Sequence, residues 1–231
     1  SHMQPLMENL HTVMFGVQDF SPAKAKHTFR LGMSDWSEHW LMPDLLPAIA
    51  HEAPGVELHI VTADPFQVRR LLEEDVIDIA VSLNKTNIGE AISEPVMTMG
   101  VSTLWSPQKI PCDGPLLIND FVAYEHVMVS YRESNHSEID RQLASQGLQR
   151  RVRYVTANFS TFPLLLTSMP VFATVPDGLA RRWQQHFTLR SSTTPVNYPT
   201  FTLCILRHKR RAQDAALNWL MAQLKTAMLR F

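Results

Sequence analysis

Residues 56–83 read VELHIVTADPFQVRRLLEEDVIDIAVSL, and this stretch decides the fold class. Val56, Leu58 and Ile60 alternate with polar neighbours, the period of a strand with one covered face. Asp64-Pro65 then offers a helix start. The Asp side chain can accept the first unpaired amides, and Pro sits where a helix has no use for an N–H. Val68, Leu71 and Leu72 give that helix one apolar side. Residues 76–83 are largely apolar, as in a strand covered on both faces. Strand, helix and buried strand in this order are the unit of a parallel α/β sheet.

The pattern extends in both directions. Upstream, Phe29, Leu31 and Met33 alternate as a strand, and Ser34-Asp35 can cap a following helix. Leu41, Met42, Leu45 and Ile49 supply its apolar stripe, although Pro43 and Pro47 each remove a helix hydrogen bond. Pro54-Gly55 ends it. Downstream, strands are expected at 96–105, 125–130, 151–156, 171–175 and 200–206. Helices are expected at 162–167 and 177–186. Ser137-Glu138-Ile139-Asp140 resembles a capping box, and Gly147 suits a left-handed helix stop. Ile139 and Leu143 face either their own core or a partner. A last helix starts near Asp214 and carries Leu217, Leu220, Met221, Leu224 and Met228 on one side. Two α/β units are implied, with the chain crossing near Trp105 and returning near Thr200.

Composition narrows the function. With 231 residues, 45% of them hydrophobic, the chain can bury a sizeable core. Its formal net charge of −1 lacks the basic excess of a domain that holds DNA by itself. Cys112 and Cys204 lie far apart with no CxxC spacing, which suggests neither a zinc site nor a disulfide and fits a reducing cytoplasm. The longest strongly apolar stretch, 162–175, is interrupted by Pro163 and Pro170 and is too short to cross a membrane. No secretory leader is visible. Ser1-His2-Met3 reads as the remnant of a cleaved expression tag.

Enzyme signatures are absent: there is no GxGxxG, P-loop, GxSxG or HExxH. No histidine has a catalytic neighbourhood, and no metal or cofactor is expected. The basic run Arg207-His208-Lys209-Arg210-Arg211 reads most simply as a solvated loop. The junctions where strands give way to helices are more informative, because ligands of open α/β sheets sit beyond the carboxyl ends of the strands, where free amides favour an anion. These junctions hold Ser34, Asp35 and Trp36; Asp64 and Phe66; Ser82 and Asn84; His136; and Asn158 and Phe159. Ser102 and Thr202 lie near the two crossings. Ser34, Asp64 and Ser137 also read plainly as helix caps.

Several of these stretches together resemble the LysR-type regulators. Phe20-Ser21-Pro22-Ala23 followed by residues 28–35, TFRLGMSD, looks like the start of that family's effector domain. Leu41-Met42-Pro43 with Ala53-Pro54 is similar to its first helix and exit. Residues 71–80, LLEEDVIDIA, resemble its second helix and third strand. Residues 150–153, Asn158-Phe159, residues 173–176 with Leu179-Ala180, Arg207-His208, Asp214 and Trp219-Leu220 resemble its later parts. The set runs in one order from Phe20 to Leu224 and looks most like the nodulation and aromatic-acid-responsive branch.

The resemblance implies two Rossmann-like subdomains with a cleft between them, as in type 2 periplasmic binding proteins. Subdomain 1 would be 28–104 plus 200–231 and subdomain 2 would be 105–199. Residues 4–27 would end a linker helix and lead in from an absent winged helix-turn-helix domain. It implies a cytoplasmic sensor of transcription, not an enzyme, that reaches DNA only through the missing domain and has no membrane partner. A polar or anionic effector would sit in the cleft on Ser34, Asp35, Trp36, Asp64, Phe66, Ser82, Asn84, Ser102, His136, Asn158, Phe159 and Thr202. Asp35 would turn outward, cap, or meet a polar ligand group. The fragment would form a homodimer through the helices after Ser34 and Ser137, and the full-length protein a homotetramer. The alternative is a solute-binding protein of a transport system. Departures from the family pattern include Asp75 for a usual Gly, Met169-Pro170 for an acidic turn, Arg207 for Trp, and Asn158 where aromatic-acid sensors often carry His. An amide at 158 cannot become cationic, which implies a less acidic ligand or weaker pH dependence.

Overall fold

The computed structural model describes residues 20–83, 89–131 and 137–230. In chain order the main elements are β1 His27–Met33, α1 Asp35–Glu52, β2 Val56–Thr62, α2 Val68–Glu73, β3 Ile79–Leu83, β4 Ala91–Met99 and β5 Val101–Trp105. Then follow α3 Ile118–Ala123, β6 Glu125–Val129, α4 Glu138–Ala144, β7 Arg151–Thr156, α5 Phe162–Ser168 and β8 Val171–Pro176. The chain closes with α6 Asp177–Gln184, β9 Arg190–Thr193, β10 Phe201–His208 and α7 Ala215–Leu229.

These elements form two compact units. Unit 1 takes the chain up to Met33, Pro43–Val96, and Cys204 onward; unit 2 takes Ser34–Met42 and Met97–Leu203. Helix α1 therefore begins in unit 2 and ends in unit 1. The sheet of unit 1 has the order β2-β1-β3-β10-β4, and that of unit 2 β7-β6-β8-β5-β9. β1 runs parallel to β2, from the pair His27 and Val56 to the pair Met33 and Thr62, and parallel to β3. In unit 2, β6 is parallel to β7 and β8, while β5 is antiparallel to β8 and β9.

The apolar periodicities become cores. In unit 1, Val68, Leu71 and Leu72 of α2 pack with Ile77, Ala80, Cys204 and Leu206. Each fully buried aliphatic side chain there contributes about 1.5–3 kcal/mol relative to exposure. In unit 2, Ile139 and Leu143 pack with Trp105, Phe121 and Phe172, so both face their own core.

Several boundaries differ from the sequence expectation, each for a local reason. The Asp64 carboxylate does accept the amides of Phe66 (2.7 Å) and Gln67 (3.1 Å), but they close a turn, and α2 starts only at Val68. The strand expected over 76–83 shortens to Ile79–Leu83. Asp75 sits at φ 59°, the left-handed turn its type tolerates, and Asp78 is drawn onto the backbone and guanidinium of Arg30. The strand expected over 96–105 is two strands of different sheets, broken at Gly100. Helix α1 runs unbroken through Pro43 and Pro47. Pro43 leaves the carbonyl of His39 without a helical donor, and the guanidinium of Arg182 donates to the next carbonyl, Trp40 O, at 3.1 Å. Helix α3 and strand β9 were not expected.

The basic run is not a free surface patch. Lys209 pairs with Glu90, Arg210 with Asp75, and Arg211 with both Asp78 and Asp214, while Arg207 donates to Asn218. Among the described residues, no helix is long and apolar enough to cross a membrane.

Candidate binding site

Within unit 2 the structure joins two of the expected junctions, which are far apart in sequence. Asp35 is the first residue of α1, where the helix dipole favours a carboxylate. Its side chain turns toward the start of α5, and Oδ2 accepts the backbone N–H of Phe159 at 2.5 Å and of Ser160 at 3.2 Å. Its Oδ1 is buried, and among the described residues it meets no hydrogen-bond partner. Burial pushes the carboxyl pKa up, and the amides of Phe159 and Ser160 and the nearby His39 only partly counter it. In place of the outward, capping or ligand-facing roles expected of Asp35, the structure turns it onto backbone amides of the protein itself.

The flanking residues pack close to these two junctions. Ser34 is buried, and its hydroxyl shares a hydrogen bond of 3.1 Å with that of Ser37. Trp36 is buried, stacked on Trp40 with ring centres 5.8 Å apart and edge-on to Phe201 at 6.1 Å. Phe159 is buried edge-on to Phe162 at 5.6 Å. Asn158 is exposed, and its backbone N–H donates to the Thr156 hydroxyl at 3.3 Å.

The other candidates fall elsewhere. Ser102 on β5 donates its hydroxyl to Asp177 Oδ1 at 2.6 Å, and Thr202 is half-buried on β10. In unit 1, Asp64 caps its turn, Phe66 is 47% exposed and Ser82 is buried in β3. Asn84 and His136 lie outside the described residues. Sequence reasoning did not single out Ser160 or Asp177. Asp177 was visible as the start of a helix after a buried strand, but nothing in the sequence pairs it with Ser102.

A second polar cluster stabilises unit 2. Arg150, its side chain 1% exposed, is held by Asp140 at 2.7 Å and donates to the Ser137 hydroxyl at 3.1 Å. Asp140 in turn accepts the Ser137 backbone N–H at 2.6 Å, and with the Ser137 side chain accepting the Asp140 N–H this makes the expected capping box. Buried His126 donates from Nε2 to Phe121 O at 2.7 Å, and its Nδ1 lies 3.4 Å from Arg150. Burial, and then the Arg150 charge, push its pKa down to about 3, so the ring is neutral.

Two α/β units threaded twice by one chain, each with a five-stranded sheet, define the class of sensor domains that resemble type 2 periplasmic binding proteins. The family model of the LysR substrate binding domain matches residues 23–229, and the chain belongs to that family. It is the effector-binding domain of a LysR-type transcription regulator. It is similar to the HTH-type transcriptional activator NagR of Ralstonia sp., 25% identical over 214 residues that span 93% of this chain and 71% of that protein. It is likewise similar to the activator NahR of Pseudomonas putida, 26% identical over 94% of this chain and 73% of that one. Nodulation protein D 1 of Mesorhizobium japonicum is 27% identical over 87% of this chain and 64% of that one. Among solved structures, the regulatory domain of MexT, a transcriptional activator in Pseudomonas aeruginosa, is 27% identical. Its TM-score is 0.78, over 89% of this chain and all of that one. These relatives are transcription regulators, which favours the sensor reading over the transport one.

Proposed function

We propose that this domain senses a small polar or anionic organic molecule and that unit 2 receives it beside Ser34, Asp35, Trp36, Asn158 and Phe159. The observation that carries this reading is the pair of amides of Phe159 and Ser160, which already hold one carboxylate, that of Asp35. Backbone amides at a helix entry suit a carboxylate or a polarised oxygen, and buried Trp36 and Phe159 suit its apolar body. Asp35 is then a built-in competitor, because an incoming anion must replace its carboxylate or lie beside a like charge. In unit 1, Asp64, Phe66 and Ser82 belong to the same reading as polar and apolar groups at strand ends.

The test is calorimetry with benzoate-like and aliphatic carboxylates and their neutral amides, at several pH values. Removing the charge with Asp35→Ala is expected to tighten carboxylate binding by about tenfold, the effect of roughly 1.4 kcal/mol. Ser34→Ala with Asn158→Ala is expected to weaken it. Carboxylates that bind equally well to wild type and to both variants place the effector elsewhere.

The wider assignment follows the family. The domain works as a homodimer, and as a homotetramer in the full-length regulator, and DNA is bound by a separate winged helix-turn-helix domain in the cytoplasm. A light-scattering mass of a monomer at micromolar concentration argues against the dimer.

A further inference from the structure

Unit 2 contains a hollow of about 490 Å³ between α6, the start of β5, and the edge strand β9 with the loop after it. A volume of this size suits a small metabolite. Asp177, the first residue of α6, lies in its lining. Ser102 donates its hydroxyl to Asp177 Oδ1 at 2.6 Å, and Thr193 of β9 stands directly opposite Ser102 in the sheet register. Gly100 leaves Asp177 Oδ2 clear, since a Cβ at that position would stand 2.9 Å from it. The start of a helix favours a carboxylate, so Asp177 is held in its charged form.

The wall directs its donors into the protein. The Ser102 proton goes to Asp177, Ser191 donates its hydroxyl to Gln184 Oε1 at 3.1 Å, and the Gln184 amide nitrogen donates to Leu189 O at 3.4 Å. The backbone N–H of Asp177 goes to Gly100 O at 3.1 Å. Arg181, one turn further along α6, also lines the hollow, but it already has a partner of its own and is not counted among the groups that await a ligand. What Asp177 Oδ2, Ser102 Oγ and Ser191 Oγ still offer is lone pairs. The hydroxyls of Thr193 and Tyr198 rotate to either role.

An acceptor-rich wall around a charged carboxylate selects among ligands. An anion brings only acceptors and a like charge. A sugar or other polyol brings acceptors as well as donors, and its lone pairs find few partners there. An ammonium group only donates, and its charge complements the carboxylate. We propose that this hollow is a second small-molecule site and that it takes a primary amine, with the ammonium on Asp177 Oδ2 and the oxygen of Ser102. The carbon body of the amine lies along Val101, Ala180 and Val196, the apolar side of the hollow. The site does not involve Asp35 or Phe159, so it stands or falls separately from the effector reading above.

The experiment is calorimetry with butylamine, benzylamine and putrescine, each compared with its N-acetylated form, and with butyrate, benzoate and inositol as anionic and polyol controls. At least one amine is expected to bind about tenfold or more tightly than its acetylated form and than every control, and Asp177→Asn is expected to weaken it by about tenfold or more. Because Asp177 opens α6, a second variant avoids the helix: Thr193→Trp, on the exposed edge strand, is expected to fill the hollow and abolish amine binding while leaving the circular dichroism unchanged. The proposal is overturned if none of the amines binds, or if acetylated forms or inositol bind as well as the amines. It is equally overturned if amine binding survives Thr193→Trp in a folded variant, or disappears in Asn158→Ala while surviving Thr193→Trp.

Discussion

Replacing Asp78 with alanine tests how unit 1 is held together at its C-terminal return. Asp78 is 5% exposed and lies just before β3. Its Oδ2 accepts the backbone N–H of Arg30 at 2.7 Å, its Oδ1 the Arg30 guanidinium at 2.6 Å, and Arg211 pairs with the same oxygen. One carboxylate thus joins β1, β3 and the turn that leads into α7. Removing one partner of a buried ion pair typically costs about 3–5 kcal/mol. The Arg30 and Arg211 side chains are 38% and 24% exposed, so both can regain water, and we expect the lower end, about 3 kcal/mol. For a chain of this size that corresponds to a fall in Tm of roughly 6–12 °C.

The loss should also depend on pH in a definite way. Burial alone would raise the Asp78 carboxyl, but the hydrogen bonds from Arg30 and Arg211 outweigh it and hold the pKa below the ordinary carboxylate range. A depressed acid contributes fully above its unfolded pKa of about 3.9 and loses that contribution as pH falls through its lower folded value. The gap between wild type and Asp78→Ala in urea denaturation should therefore be constant from neutrality to about pH 5 and shrink below about pH 4. A gap under about 1 kcal/mol at neutral pH, or one that widens in acid, would refute the argument.

Two further outcomes are expected. His126 titrates at about 3 when folded, so its ring resonances should not move between about pH 5 and 8. Because the unfolded ring takes a proton near pH 6.5, the stability its neutral form provides is present above that value and is lost progressively toward pH 3. A ring titrating near 6.5 in the folded protein contradicts the buried contacts with Phe121 and Arg150. At Asp75, held at φ 59°, Asp75→Val should cost about 1–2 kcal/mol in chemical denaturation, since a β-branched residue resists that backbone. Wild-type stability in the valine variant contradicts this.

The sequence was legible where a single local rule governs. The strands around Leu31 and Leu58, the apolar face of Val68, Leu71 and Leu72, the Asp214 cap and the left-handed Gly147 all follow from neighbours a few residues away. It failed where the decision is tertiary. β9, Arg190-Ser191-Ser192-Thr193, has no apolar alternation and is a strand because β5 offers it a hydrogen-bonding edge. α1 survives its prolines within buried surroundings that include Trp40, Leu41 and Leu45. The site shares this limit. Sequence marked Asp35 and Phe159 as helix entries, but their hydrogen bond spans 124 positions, and no periodicity carries that distance.

The strand order of unit 1 bears on how the protein is made. β10 lies between β3 and β4, although it is the last of the described strands in chain order. All five strands of unit 2 precede it, so that sheet has its full complement while the other still lacks an inner member. Until residues 201–208 leave the ribosome, β3 and β4 each present an unpaired edge to whatever else the cell supplies. The interval is the translation of about a hundred residues, several seconds at typical elongation rates. During that time the nascent chain is a natural client for a chaperone. A ribosome stalled before residue 201 leaves a product whose second sheet has all its strands and whose first does not, which is the form most exposed to strand capture and proteolysis.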